Sequence, residues 1–144
     1  MELNNLIKEK VDKLIKFRLN QGVTPVELMS NIYNEDYIEV KAKRHFDQFF
    51  CNVSFYDCDF FTDKKVRVEY KYTYDNNFYL QKIVSVKNRN EQIIWSRSEE
   101  ETKLLNDIID AFSRVDNKET VNFFIKNLPD DLQELLQNHS IMVS

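Results

Sequence analysis

VRVEYKYTY, residues 66–74, sets Val66, Val68, Tyr70, Tyr72 and Tyr74 alternately against Arg67, Glu69, Lys71 and Thr73. Successive side chains of an extended chain point to opposite faces, so this period of two marks a strand with one wet and one dry side. Asp75-Asn76-Asn77 supplies turn residues and leads into FYLQKIVSV, and Asn88-Arg89-Asn90 turns the chain again into EQIIWS. Ser98 followed at the third residue by Glu101 reads as a capping box. It opens a helix with Leu104, Leu105, Ile108, Ile109 and Phe112 on one face. The expectation is an antiparallel meander covered by an amphipathic helix.

Upstream, Leu3, Leu6, Ile7, Val11, Leu14 and Ile15 recur at helical spacing, with Lys8, Lys13 and Lys16 on the wet side. This first helix ends near Asn20-Gln21-Gly22, where the only glycine takes a left-handed cap. Thr24-Pro25-Val26-Glu27 combines N-cap, first-turn proline and capping glutamate, which starts a second helix at Pro25 running to about Tyr33. Residues 36–50 fit two patterns. Ile38, Ala42, His45 or Phe46, Phe49 and Val53 suit a helix, the reading preferred, whereas Tyr37 to Lys41 suits a short strand. Cys51 to Phe61 reads as a strand turning at Thr62-Asp63-Lys64-Lys65. At the other end, Asn117 begins a helix carrying Val121, Phe124, Ile125 and Leu128, and Pro129 breaks it and starts the last one. The fold class is α+β: N-terminal helices, about four antiparallel strands and three C-terminal helices.

At 144 residues with 42% hydrophobic content, the chain reads as one domain, residues 1–144. The net charge of −4 is unevenly placed, because residues 91–138 carry eleven acids and five bases while the residues before 91 sum to +2. No long apolar run and no leader-like start are visible, which predicts a cytoplasmic protein without a membrane span. Cys51 and Cys58, seven apart in one strand, point to opposite faces and are expected as free thiols.

Three kinds of chemistry are worth testing. Asp57 or Asp59, followed after a turn by Glu69-Tyr70-Lys71, resembles the D…ExK pattern of metal-dependent nucleases. In that reading Asp59 and Glu69 hold Mg²⁺ and Lys71 positions the attacking water. The alternative is the solvent face of an amphipathic strand with cross-strand ion pairs. His45, Cys51, Cys58 and His139 match no common zinc spacing, and a single glycine excludes a glycine-rich phosphate loop, so no cofactor is expected. The third candidate is nucleic-acid binding. Lys41, Lys43, Arg44, Lys64, Lys65, Arg67, Lys71, Lys82, Lys87 and Arg89 interleave with tyrosines, either on a basic sheet or, with 36–50 helical, on a recognition helix bearing Lys41, Lys43, Arg44 and His45. Intervening acids and a pI near 5.3 argue for a merely solvated face. Leu132 to Leu136 matches an LxxLL box, whose leucines are also one side of a short helix.

Glu99, Glu100, Glu101 and Asp107 belong to a run of acids that either complement helix dipoles or form a surface competing for a positively charged nucleic-acid channel. The order Ile83-Val84-Ser85-Val86-Lys87-Asn88, Glu91-Gln92-Ile93-Ile94-Trp95-Ser96, Ser98-Glu99-Glu100-Glu101 and Ile108-Ile109-Asp110-Ala111-Phe112 resembles the strand, strand and acidic-helix layout of small phage-encoded anti-CRISPR proteins of the type II-A kind. The opening Leu3 to Glu9 is similar too. The likeness spans about a third of the chain and leaves out the aromatic segment 33–61. It implies a non-enzymatic inhibitor that binds a bacterial RNA-guided nuclease, with Glu99, Glu100, Glu101 and Asp107 touching the protein partner. A toxin-immunity protein would make the same demands on the fold. The Mg²⁺-dependent nuclease is the rival from another class, and the residues leave oligomeric state open.

Overall fold

The computed structural model describes residues 2–115 and 118–143. They form an α+β protein with five strands and five α-helices among the described residues. By contact the chain divides into two compact units, Asn20–Glu100 and a helical unit made of Met1–Leu19 with Glu101–Ser144.

The first unit is a meander in the order β1 (Tyr37–His45), β2 (Gln48–Cys58), β3 (Lys65–Tyr74), β4 (Leu80–Lys87) and β5 (Asn90–Ser96), antiparallel throughout. The strand expected at 66–74 is β3. It pairs Tyr74 with Phe49, Tyr72 with Cys51, Tyr70 with Val53 and Val68 with Phe55. All eight therefore share one face, as the alternation requires. Cys51, Val53, Val68 and Tyr74 are buried there. Phe55 meets Tyr37 and Tyr70 with ring centres 5.4 and 5.1 Å away, within the range of favourable aromatic pairs. Asn88 and Arg89 both have positive φ in a two-residue hairpin loop, a conformation that Asn adopts readily. Asp75 accepts backbone N–H bonds from Asn77 and Tyr79.

Residues 37–45 are a strand and not the preferred helix, so the sheet has five strands where four were expected. The i, i+4 apolar matches in 36–50 were real, but they straddled a hairpin: Phe46 and Asp47 are its turn, Phe46 at φ 53°. Pairing with nearly all of β2 satisfies the β1 backbone on that side. β2 accordingly begins at Gln48, three residues before the predicted start, and ends at Cys58. No recognition helix exists at Lys41 to His45.

Helix α2 (Pro25–Met29) starts as predicted, with Thr24 Oγ1 accepting the Glu27 N–H at 3.3 Å and donating to the Glu27 carboxylate at 3.0 Å. It continues as one 3₁₀ turn, Ser30–Tyr33. Leu28 drops from it into the sheet's core beside Cys51, Val53, Tyr74 and Leu80. The approach to α2 is tightly fixed. Gly22 has φ +82°, and a Cβ there would sit 2.9 Å from the Leu80 Cβ. Leu80 N–H donates to the Gln21 carbonyl at 2.8 Å, and the buried Tyr74 hydroxyl donates to the Val23 carbonyl at 2.6 Å. Arg97 donates through Nε to the Leu80 carbonyl and through a terminal nitrogen to that of Asn20 at 2.8 Å, its guanidinium lying over the Tyr79 and Trp95 rings.

The helical unit contains α1 (Glu2–Leu19), most of α3 (Arg97–Ser113), α4 (Lys118–Lys126) and α5 (Asp130–Val143). α3 begins at Arg97, so Ser98 lies inside its first turn and is not the predicted N-cap; its Oγ lies 3.0 Å from that of Ser96. The apolar face of α3, Leu105, Ile108 and Ala111, is filled by Ile7, Val11 and Leu14 of α1 and by Leu132 and Leu136 of α5. The LxxLL leucines are thus largely core. The predicted helix start at Asn117 and the Phe124 side chain lie outside the described residues. Among the described residues no helix is long and apolar enough to cross a membrane.

Gly22→Ala has to place a methyl group against Leu80 at a positive φ, and the expected loss is about 1–3 kcal/mol in a urea melt. Tyr74→Phe leaves the Val23 carbonyl without its donor, for a loss of about 1–2 kcal/mol. Burial raises the Tyr74 phenol and lifts that of Tyr72 to about 12. An unfolded tyrosine ionises near pH 10, so this stability is full below pH 10 and declines as pH rises from there toward 12. Melting temperatures measured from pH 8 to 12 should fall above pH 10, and less steeply in Tyr74→Phe.

Candidate functional site

The D…ExK residues are not brought together. Glu69 and Lys71 share the β3 face opposite the aromatic core, as predicted, with Glu69 paired to Ser54 and Lys71 to Asn52. Asp59 follows the end of β2, five residues past Ser54, which at about 3.3 Å per residue puts it roughly 17 Å along the strand from Glu69. Its carboxylate accepts the Phe61 N–H at 3.0 Å, and that bond, helped by Thr62, holds it below the usual carboxylate range. Asp59 is therefore a turn residue. Asp57 pairs with Val66 on the aromatic face, so it does not substitute. Lys71 reaches Glu91 at 3.5 Å, the cross-strand ion pair of a solvated strand face.

The zinc candidates are equally scattered. His45 faces one side of the sheet and buried Cys51 the other, while Cys58 is exposed at the far end of β2. Both cysteines are free, and they face opposite sides. Burial raises the Cys51 thiol, and a hydrogen bond to the Asp63 carboxylate raises that of Cys58, so neither is an activated nucleophile. The His139 side chain lies outside the described residues. Among the described residues no three His, Cys, Asp or Glu side chains cluster as metal ligands.

The acids of α3 separate by helical phase. Glu101 precedes Leu105 by one turn and Ile108 by two, which puts it on the apolar side. There it meets Arg18 of α1 at 3.5 Å, and the same guanidinium reaches Asp131 of α5 at 2.9 Å. Arg18 thus ties three helices through two carboxylates. Glu99, Asp107 and Asp110 take the outer side and are exposed, with Lys103 among them and half-buried Glu100 at the margin. Among the described residues Glu99, Asp107 and Asp110 have no ion pair within 4 Å.

The basic residues also sort by register. Arg44 and Lys87 fall on the aromatic face, and Lys64 and Arg89 lie in turns. The opposite face carries successive transverse rows: Lys43, Phe50, Thr73 and Lys82, then Lys41, Asn52, Lys71 and Val84, then Glu39, Ser54, Glu69 and Val86. The first two rows floor a broad hollow of about 810 Å³ that His45 and Glu91 border. Phe50 was not singled out in the sequence. Its signal was there in the alternation of β2, whose Phe49 and Phe50 necessarily face opposite ways.

Compared with protein-family models, curated proteins and solved structures, the chain matches none.

Because Arg18 is only partly exposed and its partners are tethered on two other helices, Glu101→Gln should lower stability by about 1 kcal/mol, with the loss shrinking in high salt. Asp107→Asn should shift the same denaturation midpoint by less than half as much; equal shifts would mean that the two acids do not differ in role.

Proposed function

We propose that the protein is a non-catalytic, stoichiometric inhibitor of a bacterial RNA-guided nuclease, working in the cytoplasm through the outward carboxylates of α3. The observation that carries this reading is the split of the α3 acids: Glu101 serves the fold, whereas Glu99, Asp107 and Asp110 stand exposed on the outer side without ion pairs among the described residues. Exposed carboxylates repeated at helical spacing offer a line of negative charge. A cationic channel that normally takes nucleic acid is complementary to such a line, and the attraction both steers encounter and fixes register. The likeness in layout to the anti-CRISPR proteins points the same way. The Mg²⁺ nuclease reading loses ground because Asp59 lies far along the strand from Glu69.

Affinity capture from bacterial lysate after nuclease treatment, followed by mass spectrometry, tests the reading. One protein should be retained in stoichiometric amount, and it should be a nucleic-acid-directed nuclease. The combined change Glu99→Lys, Asp107→Lys and Asp110→Lys is expected to weaken its binding on the order of 100-fold with the fold intact. Retention of a toxin would replace the nuclease by an immunity role, and undiminished binding by the triple variant would remove α3 from the interface.

A further inference from the structure

We propose that the lysine-lined part of the sheet surface binds single-stranded nucleic acid, with Phe50 as a stacking platform. The inference rests on a different surface from the one assigned to inhibition and stands or falls separately. Cross-strand pairing puts Phe50 between Lys43 and Thr73, and Lys82 follows Thr73 on β4. With neighbouring strands about 4.8 Å apart, the Lys43 and Lys82 backbones lie roughly 14 Å from each other with the aromatic ring between them. A strand of nucleic acid presents this same order, phosphates flanking a base whose flat face needs a partner.

The surroundings select among polyanions. Lys41 and Lys71 in the next row are partly neutralised by Glu39 at 3.3 Å and Glu91 at 3.5 Å, whereas Lys43 and Lys82 have no ion pair among the described residues. The free positive charge therefore concentrates in the row that contains Phe50. One row further on, Glu39 and Glu69 would repel phosphate. A bound strand is thereby directed across the β-strands, along the lysine row, and not parallel to them. The hollow is broad, and Phe50 is only half-buried in its floor. A stacked phenyl ring needs an unpaired base, which a duplex does not offer.

Fluorescence anisotropy with labelled oligothymidylate of about twelve nucleotides, an oligouridylate and a matched duplex tests this on the full chain. Single strands should bind at 50 mM salt, with log K falling linearly against log salt concentration. Lys43→Ala with Lys82→Ala should lower affinity at least tenfold and flatten the slope by about 1.4, since each phosphate contact on a single strand contributes about 0.7. Phe50→Ala should weaken single-strand binding about fivefold or more at an unchanged slope. Circular dichroism checks that each variant is folded, and Lys10→Ala in the helical unit should bind like the parent. Absence of single-strand binding at 50 mM salt overturns the proposal. So does equal affinity for duplex and for heparin with no effect of Phe50→Ala, which would mark the lysines as a surface for an acidic protein or for polyanions in general.

Discussion

The register of β2 on β3 is the constraint from which both faces of the sheet follow. Pairing Cys51 with Tyr72 and Val53 with Tyr70 puts Phe49, Phe55, Val66, Val68 and Tyr74 on the same side. It also puts Phe50, Asn52, Lys71 and Thr73 on the other. A slip by one residue would exchange the sides, sending Lys71 into the core and Tyr72 into water. Tyr74, wholly buried and bonded to the Val23 carbonyl, makes such a slip costly because its hydroxyl would lose that acceptor. The crossing of residues 20–23 over Leu80 adds a second lock, since only a glycine fits that approach at a positive φ. Core and lysine rows are thus two consequences of one alignment.

How much of this was legible in the sequence depended on whether a pattern was local. β3 was readable because it alternates over nine residues, and β4 and β5 because Asn- or Asp-rich turns introduce them. β1 was misread because its helical matches drew on Phe46, inside a turn, and Phe49, beyond it. Nothing in a periodicity count shows a hairpin whose first turn residue is a phenylalanine at positive φ. Only the partner strand, which takes up the backbone of Glu39 to His45, settles the choice, and that information is not local.

The candidate sites show the same division. That Glu69 and Lys71 share a face follows from two-residue spacing, but the distance from Asp59 depends on where β2 ends and how its turn folds. The phase of Glu101 could have been read from the helix itself, because it stands four residues before Leu105. Treating Glu99, Glu100 and Glu101 as one acidic group hid the difference between a carboxylate held by Arg18 and one facing solvent. Phe50 was lost in a run of aromatic residues until pairing assigned each to a side.

Whole-chain charge is a poor guide to either surface. A net charge of −4 and a pI near 5.3 argue against nucleic-acid binding only if the charges act together. At physiological ionic strength an exposed charge is felt over about 8 Å, so a ligand on the sheet responds to the lysines within that radius and to little else. In the Phe50 row and the next, the lysines are Lys43, Lys82 and the partly neutralised Lys41 and Lys71. Along the outer side of α3 the carboxylates outnumber Lys103 in the same local way. An acidic chain therefore presents a positive surface wherever strand register collects lysines on one side, and what it binds there is decided over a few side chains, not by the sum.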